Sequence, residues 1–598
     1  MLTAWRNIGA FLGAHRLILS VALLLTFLIK APVLLFPSVA GDEYRGINLY
    51  HYGNLAVDED FYISRGKEVL EGHALGNPLM REGKEEYQDY YFTINEQALV
   101  GPLRLLGLGE KLNVATLYAV YNTLGLFALI LLIYFFALEL FPAKLFATAV
   151  AVFVVSGYSI LDHRAFFEPV FNMYGRSLHP YLSSLAFFGY LVLCLRVLKT
   201  HSVLRLALAG VLFGALSYIY SYAWTFAALF NGFLLVFFVM RREWRAVKTL
   251  FFVSLLGGVI SIYNVAQTYL YLVSAAGQQA IFFYGAKFGR SLAYGKLGPA
   301  ILFLFGVFAY RKRGEWGWPV ILALLLAGWF AINQQFVTGL SIQSNHYLWY
   351  YTTPALIIAL SYAFFSLVPY ARLRAALLVL AISVSLCNTA VEQYRAFMQT
   401  LPERLSEQRY RPILDALKAA APPAVVLAAD DAPELLVTVY TPHDIFWESV
   451  LGKFNDNPVE RHQDALLLFL YLNREARMRP DAYLLRILPD TNNHSSYRRI
   501  YRDIEGYYSG LSRREYEAWE GRGDESFLGY RKALLASLMR RYEAFADNPR
   551  GFETLLDRYG VRFVLLDKKR QAEWDLGALS GLTLAAASGE VFLFERSQ

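Results

Sequence analysis

Eleven mostly apolar stretches, at about 17–36, 114–140, 145–161, 180–198, 204–221, 223–240, 249–272, 297–310, 317–336, 353–370 and 373–391, constrain this chain more than any motif in it. Most reach the ~17–25 residues that an α-helix needs to cross the hydrocarbon core of a bilayer. In that core every backbone N–H and C=O must be satisfied within the chain, as a long apolar helix does. The expected fold is a polytopic α-helical membrane protein with about eleven transmembrane helices. Composition agrees, since 56% of the 598 residues are hydrophobic and 18% are charged, too apolar for a soluble domain.

Basic residues set the orientation, because Lys and Arg collect in cytoplasmic loops. With the N-terminus inside, the inner helix ends hold Arg6, Arg16, Lys144, Arg196, Lys199, Arg205, Arg241, Arg242, Arg245, Lys248, Arg311, Lys312, Arg313, Arg372 and Arg374. The short outer loops hold only Arg164, Arg176, Lys287, Arg290 and Lys296. The chain is expected to run N-terminus in and C-terminus out, in a bacterial inner membrane with the active site on the periplasmic side.

Two hydrophilic parts then face outward: a large first loop at about 37–113, inside a membrane domain at 1–391, and a C-terminal domain at 392–598. "AVVLAAD" (424–430) and "VRFVLLD" (561–567) read as buried strands of an α/β soluble domain, each preceded by helix-like sequence. Residues 497–546 are charged and helical, with Tyr and Trp interleaved. "SVA" (38–40) has the small-x-small form of a signal-peptide cleavage site, but the apolar stretch before it is long for such a segment.

Some functions are excluded early. The net charge of +7 is modest and follows from the cytoplasmic loops, so no nucleic-acid partner is expected. Cys194 and Cys387 lie in apolar runs and supply neither a disulfide framework nor a thiolate zinc site. No Gly-rich loop ending in GK[ST] is present, which argues against an ATP-driven pump.

The chemistry-bearing residues gather in the outer loops. "VDEDFYISRGKEVLEG" (57–72) puts Asp58, Glu59 and Asp60 in the first turn of an amphipathic helix. Capping and the helix dipole alone would account for acids there, at ~0.5–2 kcal/mol for the cap. Their company points further: Asp42 and Glu43 in "GDEYRGINLY", Lys84 and Glu85 in "REGKEEYQDYY", and many tyrosines. Acids, a lysine and aromatic rings suit the holding of a sugar and a phosphate beside a general base. The second outer loop (161–184) adds Asp162, His163, Arg164, Glu168, Arg176 and His179. A guanidinium fork matches phosphate, which makes Arg164 and Arg176, with Lys84, the candidates for a lipid phosphate. "NQQFVTGLSIQSNHYLWYYTTP" (333–354) carries Gln335, His346 and Tyr350, candidate substrate-binding groups in what also reads as an interfacial aromatic belt.

The acidic cluster followed by "FYISRGKEVLEGHALGNP" (61–78) resembles the GT-C superfamily of integral-membrane glycosyltransferases, in its branch of protein O-mannosyltransferases and lipid A aminoarabinose transferases. The likeness of topology runs through 1–391, and the local motif covers about 58–78. It implies a GT-C-like fold, a polyprenyl-monophosphate sugar as donor, and a glycan, lipid or protein as acceptor. It implies Asp58 as the catalytic or acceptor-orienting carboxylate with Glu59 beside it, and Asp162 as the second-loop acid. Asp42 and Glu43 also match the first acid after the first helix, so the base stays open between Asp42 and Asp58. Lys84 falls where the aminoarabinose transferases have a Glu-Lys pair before two prolines; here the text is "EGKEEY", without them. "DED" fits a loose D-x-D form in which Asp58 and Asp60 would hold Mg or Mn, although no cofactor is required.

The expected function is transfer of a sugar from a polyprenyl-phosphate donor to an acceptor hydroxyl on the outer face, with inversion. A non-catalytic polysaccharide-binding or assembly protein is the main alternative. A flippase or transporter is a further one, but it would place charges deep inside the spans, whereas Lys30 and Glu139 are found near helix ends, as are the basic residues Arg196, Arg205 and Arg374.

Overall fold

The computed structural model describes residues 9–49, 56–85, 94–108, 112–159, 167–274, 277, 287–288, 290, 292, 297–311, 315–341, 343–428, 435–448, 457–490, 495–511 and 513–597. Each of the eleven apolar stretches lies on a helix. They are α1 (Arg16–Ala40), α3 (Val114–Leu140), α4 (Lys144–Ser156), α5 (Tyr181–Thr200), α6 (Val203–Ile219), α7 (Ser221–Met240), α8 (Trp244–Val273), α9 (Leu297–Arg311), α10 (Gly317–Ile332), α11 (Thr353–Leu367) and α12 (Ala371–Glu407). The acid-led helix of the first loop is α2 (Ala56–Glu71). Among the described residues, seven helical stretches are long and apolar enough to cross a membrane, and α4, α6 and α10 are shorter apolar helices. This is the bundle of a multi-pass membrane protein.

Local signals place the boundaries. The Asn113 side chain accepts from Thr116 N and starts α3. Tyr220, extended at φ −166°, ends α6 and opens α7, dividing one long apolar run in two. Helices α6 and α8 meet through glycines; a Cβ on Gly214 would lie 2.6 Å from Ile260 Cβ. Such small-residue contact lets helices approach where the hydrophobic effect offers no driving force.

The basic residues converge at one end of this bundle. Lys144 Nζ donates to Ala14 O (2.8 Å), and Glu139 at the end of α3 pairs with Arg196 and Lys199 at the end of α5, both at 2.9 Å. Lys199 and Arg241 lie over the Trp316 and Trp318 rings, 5.8 and 5.7 Å from their centroids, at the start of α10. Glu139 is thus paired at that end. The opposite end carries α2, the short helices Asn95–Leu99 and Gly101–Leu105, and the loop leading into α5. Ile94 N and Asn95 Nδ2 tie it to the final carbonyls of α6, at 3.1 and 2.9 Å.

The first loop and the C-terminal part share one core. Ile47, Phe61, Ile63, Leu79 and Met80 are buried in the same cluster as Val426, Leu436, Ile445 and Phe563. Lys84 Nζ bridges Glu68 (3.0 Å) on α2 and Asp444 (2.5 Å). Burial lowers the Lys84 pKa, and the two carboxylates more than offset this, holding it above its usual value. Position 391, expected to separate two domains, falls inside α12, which runs unbroken to Glu407.

The α/β domain is a five-stranded sheet: β1 (Val425–Leu427), β2 (Asp444–Ile445), β3 (Val561–Asp567), β4 (Leu582–Ser588) and β5 (Val591–Arg596), in the order β2-β1-β3-β5-β4. β1 runs parallel to β2 and β3, and the remaining pairs are antiparallel. β3 coincides with the expected "VRFVLLD", and β1 covers the described centre of "AVVLAAD". Between β2 and β3 lie helices that include α13 (Val459–Leu472), α14 (Ser496–Tyr508), α15 (Arg513–Arg522) and α16 (Glu525–Ala546).

Candidate active site

Successive residues on a helix diverge by about 100°, so the three acids that open α2 fan out in three directions. Asp58 keeps a side chain 43% exposed, whereas Glu59 and Asp60 are fully buried. Asp58 and Glu59 meet Arg176, whose backbone is fixed from two helices. Asn122 Nδ2 on α3 donates to Tyr174 O and Arg176 O, at 3.0 and 2.8 Å, and Lys30 Nζ on α1 donates to Gly175 O at 3.0 Å.

The guanidinium is divided among three partners. Nε donates to Glu59 Oε1 (2.7 Å), Nη2 to Asp58 Oδ2 (2.9 Å) and Nη1 to the Tyr350 hydroxyl (3.4 Å). Ser177 N donates to the second Glu59 oxygen at 2.6 Å. Burial lowers the Arg176 pKa, but Glu59, Tyr350 and Asp58 outweigh it and hold the cation well above its usual value. The ion pairs leave Asp58 as the carboxylate of this group that reaches solvent.

Aromatic rings wall the site. Tyr350 belongs to a π-helical turn, Leu348–Thr352, that leads into α11; such turns recur at functional sites because they re-aim side chains. Its ring stacks on His346 (centroids 5.4 Å apart), whose Nδ1 lies 2.6 Å from the Tyr220 hydroxyl. Tyr220 stacks in turn on His179 at 4.5 Å, and Tyr62 of α2 meets His179 edge-on at 5.6 Å. Residues of α2, the loop before α5, the α6–α7 junction and the turn before α11 therefore contribute to one site.

His179 supplies a pH test of this packing. Burial, then the Arg176 charge, pushes its pKa down to about 3 from 6.5. Unfolded, the imidazole takes a proton near 6.5; folded, it stays neutral until about 3. The unfolded state thus binds the extra proton across that window, and stability falls as pH drops from 6.5 towards 3. Thermal denaturation at about pH 7.5 and about pH 5 should show this loss in wild type and a smaller loss in His179→Gln, which cannot take the proton.

The other expected residues are placed as follows. Asp42 and Glu43 are exposed on a single turn, Gly41–Glu43, directly after α1. Lys84 is engaged by Glu68 and Asp444, the contact that joins the first loop to the C-terminal α/β part, and is not drawn to Arg176. Gln335 is buried in the short helix Gln335–Thr338. Asp162, His163 and Arg164 lie outside the described residues. Asp58, partly exposed, and Asp60, buried, stand two residues apart on α2. Among the described residues no group of three or more His, Cys, Asp or Glu side chains could hold a metal ion. Sequence reasoning omitted Tyr62, Tyr220, Asn122 and Lys30 from the site. Lys30, a lysine in an apolar helix, was the one signal that pointed to a buried partner.

Elsewhere in the bundle, α4, α11 and α12 line an apolar groove of about 550 Å³ that includes Phe153, Ile357, Leu360, Phe364, Leu378 and Val384. Ser385 also lines it, and one turn further along α12 Asn388 Nδ2 donates to Ser159 Oγ (3.3 Å), which donates to Glu392 (3.1 Å). The groove therefore leads to a buried polar network immediately before residues 160–166 in the chain.

No protein-family model matches the chain. No curated protein matches it either. Among solved structures, the chain is similar to the oligosaccharyltransferase of Archaeoglobus fulgidus in its apo form, with 11% identity and a TM-score of 0.46 over 93% of this chain and 70% of that one. It is also similar to ArnT from Cupriavidus metallidurans bound to undecaprenyl phosphate, with 13% identity and a TM-score of 0.40 over 98% of each chain. At these values the likeness assigns no residue a role.

Proposed function

We propose that the chain is a membrane glycosyltransferase of GT-C type, which moves a sugar from a polyprenyl-monophosphate donor to an acceptor hydroxyl on the outer face. The observation that carries this reading is Asp58: a carboxylate open to solvent on one side, fixed by a buried Arg176 on the other, at the end of the bundle away from the clustered basic residues.

In this reading Asp58 Oδ removes the proton of the acceptor hydroxyl. The acceptor oxygen bonds to the anomeric carbon as the bond from that carbon to the phosphate oxygen breaks. The electron pair leaves with polyprenyl phosphate, and the configuration inverts. Arg176 orients the base, because Glu59 and Asp58 take up its fork. Phosphate binding then falls to Arg164, the other arginine of the second loop, and the polyprenyl tail lies in the groove lined by α4, α11 and α12. The ring surfaces of Tyr350, His346, Tyr220 and Tyr62 offer apolar faces to the sugar. The exposed Asp42 lacks such fixation, which favours Asp58 as the base.

The test is native mass spectrometry of the full chain in mild detergent with undecaprenyl phosphate. One retained lipid per chain, in competition with ordinary phospholipid, is expected. Retention of phospholipid but not of undecaprenyl phosphate would overturn the donor assignment.

A further inference from the structure

The outer domain has a second concavity, in the charged, aromatic segment that the transfer site does not use. A pocket of about 470 Å³ is lined by Ser509, Leu511, Glu515, Ala518, Trp519 and Arg522. Glu515, Ala518, Trp519 and Arg522 stand at i, i+3, i+4 and i+7 of α15 and form one stripe along it. Ser509 and Leu511 come from the turn that follows α14.

The tryptophan is held in place. Its Nε1 donates to Asp524 Oδ1 (3.2 Å) and Ser526 Oγ (3.0 Å). Asp524 is also the N-cap of α16, accepting from Phe527 N at 3.0 Å, and its other oxygen accepts from Arg522 Nε at 3.4 Å. Tyr530 and Phe527 pack against the indole, with centroids 5.3 and 5.2 Å away. The indole Nε1 is thus satisfied within the chain, and Trp519 lines the pocket beside Ala518.

We infer that this pocket is a carbohydrate-binding subsite for the acceptor glycan, an inference that takes its ligand class from the glycosyltransfer reading above. A sugar ring has an apolar CH face, which a fixed indole matches, and hydroxyls that both donate and accept. The pocket supplies both partners: the Glu515 carboxylate accepts and the Arg522 guanidinium donates. Seven residues of helix separate them by ~10 Å, room for about two hexose rings. Immobilising the indole in advance lowers the ordering cost of binding.

The test is an array of bacterial surface oligosaccharides and polysaccharides probed with the full-length protein in mild detergent. Wild type should bind at least one glycan. Trp519→Ala and Arg522→Ala should each weaken that binding by about tenfold or more, with melting temperature and gel-filtration profile unchanged. Trp519→Phe keeps a ring and should retain part of the binding. Arrays on which wild type and Trp519→Ala cannot be told apart for any glycan would overturn the subsite. A protein that binds glycans through Trp519 yet retains no undecaprenyl phosphate would sink the transferase reading alone.

Discussion

Replacing Asp58 with Asn is expected to slow sugar transfer by about 10²–10⁴-fold, the usual contribution of a positioned general base, while the protein melts close to wild type. Asn keeps the volume of Asp and retains an oxygen to accept from Arg176 Nη2, so the local geometry survives. What it loses, on the proposed reading, is the oxygen that takes the proton. Because the Asp58 side chain is 43% exposed, losing its charge strands no buried carboxylate; Glu59 still pairs with Arg176. The measurement is the initial rate of polyprenyl-phosphate release from the purified variant, normalised to folded protein. Asp42→Asn, altering an exposed acid outside the Arg176 network, should stay near the wild-type rate. The reverse pattern, a silent Asp58→Asn and a dead Asp42→Asn, would move the base to the turn after α1.

Arg176→Met should instead act first on the fold. The guanidinium pairs with Glu59, which has no exposure, and removing it leaves a buried carboxylate with the Ser177 amide donating to it and the Lys30 charge acting on it from farther away. Breaking a buried ion pair from one side typically costs ~3–5 kcal/mol, a large fraction of a native protein's stability. A marked drop in melting temperature and in detergent-extracted yield is expected. Glu59→Gln alone should cost less, because Arg176 keeps Asp58 and Gln still accepts a hydrogen bond. The decisive variant is the double substitution, which removes both buried charges: it should melt above Arg176→Met. A double mutant no more stable than Arg176→Met would mean that Arg176 supports the fold through the Tyr350 contact or the loop backbone, not through Glu59.

The site was legible in the sequence to the extent that its residues advertise themselves one by one. Asp58, Glu59, Arg176, His346 and Tyr350 are polar or aromatic groups at the outer ends of apolar runs, where such groups are conspicuous, and the structure brings them together. Lys84 looked the same by that criterion, yet it joins α2 to Asp444, 360 residues further on. Tyr220 and Tyr62 drew no notice because the chain contains 41 tyrosines. A tyrosine beside a helix break carries no local mark of the histidine it will stack on.

What the sequence determined by itself is the set of helices, the end of the bundle at which basic residues gather, and the strand β3. These follow from runs of apolar residues and from charge placement, both of which act locally and survive any packing arrangement. The tertiary structure decided which of three consecutive acids faces solvent, and that α12 carries the chain into the C-terminal α/β domain without a break. It also decided that the first loop shares its core with that domain. The reason is physical: helix geometry fixes the angles among Asp58, Glu59 and Asp60, but only the position of Arg176, 118 residues from Asp58 in the chain and set by Asn122 and Lys30, selects the direction that becomes the site.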